Sequence, residues 1–91
     1  FEVGAEVCEA FVALDHEAAA HFWPLGQGKF LADLPALARW RLQTAGITNV
    51  HGNDGSPPWC TVTQTSHFFS HRRDATILGS TGRMAACVWI D

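Results

Sequence analysis

The stretch of this chain with the most reactive side chains is SHFFSHRRD, residues 66–74. It contains two histidines four residues apart, His67 and His71, and Cys60 lies seven residues before the first of them. On a helix, histidines at this spacing share a face and can bind one metal ion, and zinc accepts mixed histidine and cysteine ligands. On a strand, the same histidines lie about 13 Å apart, which forbids shared coordination. The spacing leaves a metal site open, but no second cysteine or orienting carboxylate supports it.

Two adjacent arginines, Arg72 and Arg73, follow the aromatic pair and precede Asp74. The planar fork of an arginine side chain suits phosphate, and one of the two can pair with Asp74 while the other points into a pocket. The alternative is a salt-bridged turn that binds no ligand, which the local sequence favours. A nucleophilic role for Cys60 would require a histidine that approaches it in space.

Two helices are predicted in the first half of the chain. Residues 3–20 carry an apolar stripe at helical spacing, formed by Val3, Val7, Ala10, Phe11 and Leu14. A second helix is predicted to begin after Asp33 as N-cap, with Pro35 in the first turn, and to end at Gly46. Its predicted buried stripe consists of Leu34, Leu37, Ala38, Leu42 and Ala45.

Three strands are predicted in the remainder. The short β-branched segments ITNV (47–50) and CTVT (60–63) favour strands, and the apolar run RMAACVWI (83–90) favours a central strand covered on both faces. Glycine and proline predict loops for HFWPLGQGKFLAD (21–33) and HGNDGSPPW (51–59). The pattern predicts an α/β chain with incomplete layers.

The composition limits the class of protein. The chain has 91 residues, 47% hydrophobic and 16% charged, which indicates one folded domain. A net charge of −3 disfavours nucleic acid as a partner, and no apolar run is long enough to cross a membrane. Three widely spaced cysteines indicate a reducing, cytoplasmic location. Because the sequence begins with Phe1 and not with an initiator methionine, we expect a trimmed chain or a fragment of a longer protein.

Three segments, in this order, resemble one known family. FEVGAEV (1–7), FFSHRRD (68–74) and TGRMAACVWI (81–90) look like the C-terminal part of the laccase-domain family, also called multicopper polyphenol oxidases. Members of that family are described as purine nucleoside phosphorylases with adenosine deaminase side activity. The resemblance runs from Phe1 to Ile90 and includes Cys60-Thr61. Histidine at position 71, where the family usually has tyrosine, and the long 51–59 loop depart from the family pattern.

The resemblance implies a layered sandwich of helices around a mixed β-sheet, in which residues 1–91 form an incomplete C-terminal part of one domain. The family metal, zinc or copper, would be held by motifs of the missing N-terminal half, so no metal ligand is assigned to this chain. We therefore expect the isolated chain to retain no metal and to be inactive.

The resemblance further implies phosphorolysis, in which phosphate attacks the ribose anomeric carbon of a purine nucleoside. On that basis the predicted substrate-binding residues are Arg72 and Arg73, with Glu2 and Phe69 as weaker candidates; Phe69 is favoured as a core residue. Copper-dependent polyphenol oxidation is the alternative activity. A non-catalytic interaction module is the third alternative, if the chain is complete.

Overall fold

The structure is a computed structural model that describes residues 1–90. The chain divides into two compact units, the first Phe1–Gly55 and the second beginning at Ser56. The first unit contains a three-stranded sheet and two α-helices, and the second contains one α-helix. The predicted α/β class is therefore confirmed. Within residues 1–90, no helix has the length and apolar character that a membrane span requires.

The sheet consists of β1 (Glu2–Gly4), β2 (Phe22–Gly26) and β3 (Lys29–Ala32), in the order β1-β3-β2 with both pairings antiparallel. The prediction of a loop over residues 21–33 is wrong, because β2 and β3 form a hairpin there. Its turn places Gly26, Gln27 and Gly28 at positive φ, a region that the two glycines adopt without strain. Aromatic and aliphatic residues on both sides of Gly-Gln-Gly are the signal that would have predicted it.

The first predicted helix is divided into three elements. After β1, α1 spans Ala5–Leu14, and a 3₁₀ helix spans His16–His21. The break falls at Asp15, whose backbone is extended and whose carboxylate accepts the Glu17 N–H at 3.0 Å. Such side-chain caps compete with a continuing helix.

The second predicted helix is confirmed as α2, Leu34–Thr44. Asp33 is its N-cap and accepts the Ala36 N–H at 3.1 Å, and Gly46 follows its end at φ 90°. These local signals define the helix ends as the sequence indicated. The predicted stripe is partly wrong, because Leu37 is buried whereas Leu34, Ala38 and Leu42 are exposed. Trp40 packs against the core on the same helix.

The core of the first unit is small and lies between the helices and one face of the sheet. Its buried apolar residues are Ala18, Phe22, Ala32 and Leu37, which come from four different elements. The half-buried residues around them include Val7 and Phe11 of the predicted α1 stripe, whereas Leu14 is 76% exposed and lies outside it.

Replacing Leu37 by alanine is expected to lower the free energy of unfolding by about 2–5 kcal/mol, because the change leaves a cavity among buried side chains. The matched control is Leu42→Ala on the same helix, where the side chain is 36% exposed and the expected cost is below about 1 kcal/mol. Urea denaturation followed by circular dichroism measures both. Equal costs at the two positions would contradict the core described above.

The predicted strand at 47–50 is wrong. The backbone there is irregular, and Arg39 of α2 donates hydrogen bonds to the carbonyl oxygens of Val50 (3.3 Å) and Gly52. These carbonyls are thus bound by a guanidinium, so the segment does not need a strand neighbour. The sequence pattern of α2 favours a solvated edge for Arg39, whereas the structure shows this side chain half-buried and bound to the loop.

The second unit contains a short 3₁₀ helix, Pro57–Trp59, and α3, His71–Leu78. The strand predicted at 60–63 is wrong, because these residues form turns. The central strand predicted at 83–90 is also wrong: this run pairs with no strand among residues 1–90, and Val88, Trp89 and Ile90 are exposed. An apolar run becomes a sheet strand only where a neighbouring strand can accept its hydrogen bonds.

Candidate functional site

The stretch SHFFSHRRD leads into the start of α3, and Ser70 determines where the helix begins. Ser70 is buried, and its hydroxyl accepts the Arg73 N–H at 3.3 Å. In return, the Ser70 N–H donates to Asp74 Oδ2 at 3.3 Å. This reciprocal pair satisfies N–H groups that a helix start otherwise leaves without partners. Our sequence reasoning missed this cap, although serine is among the residues preferred at a helix N-cap.

Arg73 binds four neighbouring groups at once. Its Nε and Nη2 donate to the two carboxylate oxygens of Asp74 at 2.6 and 2.8 Å, which makes a bidentate ion pair. Its Nη1 donates to the carbonyl oxygens of Thr61 (2.6 Å) and Val62 (3.0 Å), and Nη2 also donates to that of Phe68 (3.1 Å).

An arginine side chain has five N–H groups, and here each has an acceptor within the second unit. The predicted ion pair with Asp74 is confirmed. Arg73 therefore joins the turn at 61–68 to the first turn of α3, and its donors are directed at protein acceptors.

The ion pair shifts both partners toward their charged forms. The Arg73 hydrogen bond holds the pKa of the Asp74 carboxyl below its ordinary value, with further support from the Ser70 N–H and the Thr81 hydroxyl. The same carboxylate raises the pKa of Arg73. The charges are well placed to persist at neutral pH.

Asp74 is expected to make the stability of the protein depend on acid pH. Because its pKa is lowered in the folded state, its stabilising effect is complete above the unfolded-state pKa and is lost as the pH is lowered from 7 through the folded-state pKa. The urea midpoint of Asp74→Asn should lie below that of the wild type at pH 7 and approach it at the acid end. A difference that stays constant over this range would contradict the expectation.

Arg72 occupies a different position from its neighbour. It is an exposed residue in the first turn of α3, at a helix start that the Arg73 network fixes. The positive end of a helix favours anions at this place. The substrate-binding roles predicted for Arg72 and Arg73 remain predictions.

Phe69 and Glu2 lie in different units. Phe69 is 50% exposed, so the favoured core role is wrong for the part of the chain that is described. Its ring lies against Gly82, where an added Cβ would stand 2.5 Å from the ring atoms. Glu2 is exposed on β1 of the first unit. Substrate contacts by either residue remain predictions.

The two histidines adopt neither of the geometries considered from the sequence. His71 is the first residue of α3, whereas His67 precedes the helix in a turn closed by its N–H to the Gln64 carbonyl oxygen at 3.1 Å. Among residues 1–90, no group of three or more histidine, cysteine, aspartate or glutamate side chains could hold a metal ion. These residues therefore do not fit a metal centre of their own, and no metal chemistry is assigned to them.

Cys60 lies in the turn that Arg73 holds. The Thr63 hydroxyl, followed by the backbone N–H groups of Thr63 and Val62, stabilises its thiolate and lowers the pKa of the thiol. Cys8, Cys60 and Cys87 are all free thiols.

Comparison with known proteins decides the family. The family model described as multi-copper polyphenol oxidoreductase laccase matches residues 1–91. The chain belongs to this family. The resemblance that the three sequence segments indicated is thereby confirmed.

Members of the laccase family with high similarity carry a consistent name. Purine nucleoside phosphorylase YfiH of Escherichia coli is 48% identical over 99% of this chain, and a purine nucleoside phosphorylase of Pseudomonas aeruginosa is 45% identical over 99%. The alignments cover 33% and 34% of those proteins, so the chain spans about a third of their length. The crystal structure of Neisseria meningitidis protein NMB0706 matches 81% of this chain and 29% of its own, with 50% identity and a TM-score of 0.72.

Proposed function

We propose that this chain is part of a purine nucleoside phosphorylase that cleaves inosine and adenosine with phosphate, with deamination of adenosine as a side activity. The observation that carries the proposal is the 45–49% identity, over nearly the whole chain, to proteins named purine nucleoside phosphorylase. The proposed full-length fold is a sandwich of helices around a mixed sheet, and the proposed location is the cytoplasm, where three free thiols stay reduced.

The proposed chemistry requires an anion to be held beside a sugar. Phosphate forms a bond to the ribose anomeric carbon, and the bond from that carbon to the purine nitrogen breaks, so that the purine leaves with the electron pair. The site must therefore remove water from phosphate and orient it, which charge-assisted hydrogen bonds accomplish. Zinc or copper is proposed to lie in the remaining part of the protein.

Within this chain, Arg72 is the proposed phosphate contact. Its side chain is exposed at the start of α3, whereas the Arg73 side chain is half-buried and directed into the second unit by five hydrogen bonds. Arg73 is accordingly proposed to position the turn and the helix start, so that Arg72 extends from a fixed backbone. Phe69 and Glu2 are proposed as further contacts to the substrate.

A second candidate function is oxidation of phenols with copper. The description of the family model, a polyphenol oxidoreductase laccase, is the observation that favours it. The two functions differ in what they consume, since phosphorolysis requires phosphate and phenol oxidation requires an electron acceptor such as oxygen.

A parallel assay of the full-length protein separates the two. We expect purine release from inosine and from adenosine that depends on added phosphate, and little oxidation of a phenol in the presence of copper. The matched control is the same protein incubated with inosine in phosphate-free buffer. Rapid phenol oxidation without phosphate-dependent purine release would reject the proposed function in favour of the second candidate.

A further inference from the structure

The first unit leaves one face of its sheet open to solvent. In the antiparallel register, Glu2, Leu31 and Trp23 lie side by side in one row across the three strands. Side chains alternate between the two faces of a strand, and the adjacent residues Val3, Phe30 and Phe22 pack toward the core. The row that contains Trp23 and Leu31 therefore lies on the face opposite the helices.

Two of the three residues in this row are apolar. Trp23 and Leu31 are directly opposed in the register and are 49% and 43% exposed, and Leu25 of the same hairpin is also exposed. A sheet that is meant to face water alternates apolar and polar residues, with the polar ones outside. A single exposed apolar residue is ordinary, whereas a contiguous group marks an interaction surface.

The two edges of the sheet differ in their ability to accept another strand. β2 contains Pro24, which has no N–H, and a bulge between Pro24 and Gly26. Prolines and bulges are features that end a sheet. β1, at the other edge, contains neither. Further strands would therefore join the sheet at β1 and widen the same sheet face.

We propose that the open sheet face that carries Trp23 and Leu31 is the surface on which the remaining two thirds of the full-length protein packs. The relatives are about three times as long as this chain, yet only four apolar side chains are buried among residues 1–90. A chain with so few buried side chains gains stability when further residues of the protein cover its exposed apolar surface, and the sheet face beside β1 is such a surface. The proposal depends on the family to which the chain belongs and on the length of the relatives. It does not depend on which reaction the full-length protein catalyses.

Photo-crosslinking of the full-length protein tests the proposal. p-Benzoylphenylalanine replaces Trp23, an aromatic position, and the matched control carries it at Leu14, which is 76% exposed at the end of α1. Mass spectrometry of a mixture of light and heavy isotope-labelled protein identifies the crosslinked peptide and shows whether it belongs to the same molecule.

We expect crosslinks from position 23 to peptides outside these 91 residues in the same molecule, and no such crosslinks from position 14. Crosslinks to a second copy, to residues 56–91, or to no peptide would overturn the proposal. If the Trp23 variant does not fold, thiol labelling compares Leu31→Cys with Leu14→Cys, and position 31 should react at least about tenfold more slowly. Equal labelling rates would likewise overturn it.

Discussion

Replacing Arg73 by lysine is expected to release the turn at 60–68 from the start of α3. The backbone N–H groups of Gln64 and Phe68 donate to carbonyl oxygens of the same turn, and they should exchange with solvent deuterium about tenfold faster or more. Hydrogen exchange measured by mass spectrometry on peptides from this segment reports the change directly.

The physical reason is the shape of the side chain. The arginine fork reaches the Thr61, Val62 and Phe68 carbonyl oxygens and both oxygens of Asp74 from one plane. Lysine keeps the charge but offers three donors on a single nitrogen, so it cannot reach all of these acceptors. Arg83→Lys, in the exposed run at 83–90, is the matched control and should leave the exchange unchanged. Unchanged exchange in Arg73→Lys would show that the network does not hold the turn.

Replacing Arg72 by lysine is expected to affect phosphate use without loosening the fold. Loss of one charge-assisted hydrogen bond is worth about 1.5–3 kcal/mol, which corresponds to a fall of about tenfold to a hundredfold in kcat/KM for phosphate. Because none of the Arg73 hydrogen bonds involves the Arg72 side chain, hydrogen exchange at 60–68 should match that of the wild type. Steady-state rates at limiting and saturating phosphate, measured on the full-length protein, give the two parameters.

The comparison of the two arginine variants separates a contact from a positioning role. Arg73→Lys should change both the exchange of the turn and the kinetics for nucleoside and phosphate together, since it displaces the helix start. Arg72→Lys should change phosphate kinetics alone. Wild-type phosphate kinetics in Arg72→Lys would assign Arg72 to structure and place the phosphate contact elsewhere in the protein.

The parts of the fold that the sequence predicted are those with local causes. α2 begins at Asp33 and is followed by Gly46 because capping and positive φ depend on a few neighbouring residues. The hairpin of β2 and β3 was missed because proline and glycine obscured the apolar residues that flank its turn. The run at 83–90 was misassigned because its composition describes a strand, whereas strand formation depends on a partner that sequence periodicity does not show.

In the candidate site, too, the contact between neighbouring residues was predicted and the contacts between distant residues were not. The pairing of Arg73 with Asp74 follows from adjacency and opposite charge, and the structure confirms it. The three carbonyl acceptors of Arg73 could not be predicted, because the turn at 61–68 brings them together and its first residues suggested a strand at 60–63. For this reason the sequence left Arg72 and Arg73 equivalent, while the structure distinguishes them by their exposure.

The most direct test of the proposed function is the phosphorus nuclear magnetic resonance spectrum of the full-length protein incubated with inosine and inorganic phosphate. We predict a sugar 1-phosphate resonance that grows as inorganic phosphate declines, in equal amount to the hypoxanthine released. Hypoxanthine released without a phosphorylated sugar, or no cleavage of inosine at all, would contradict the account.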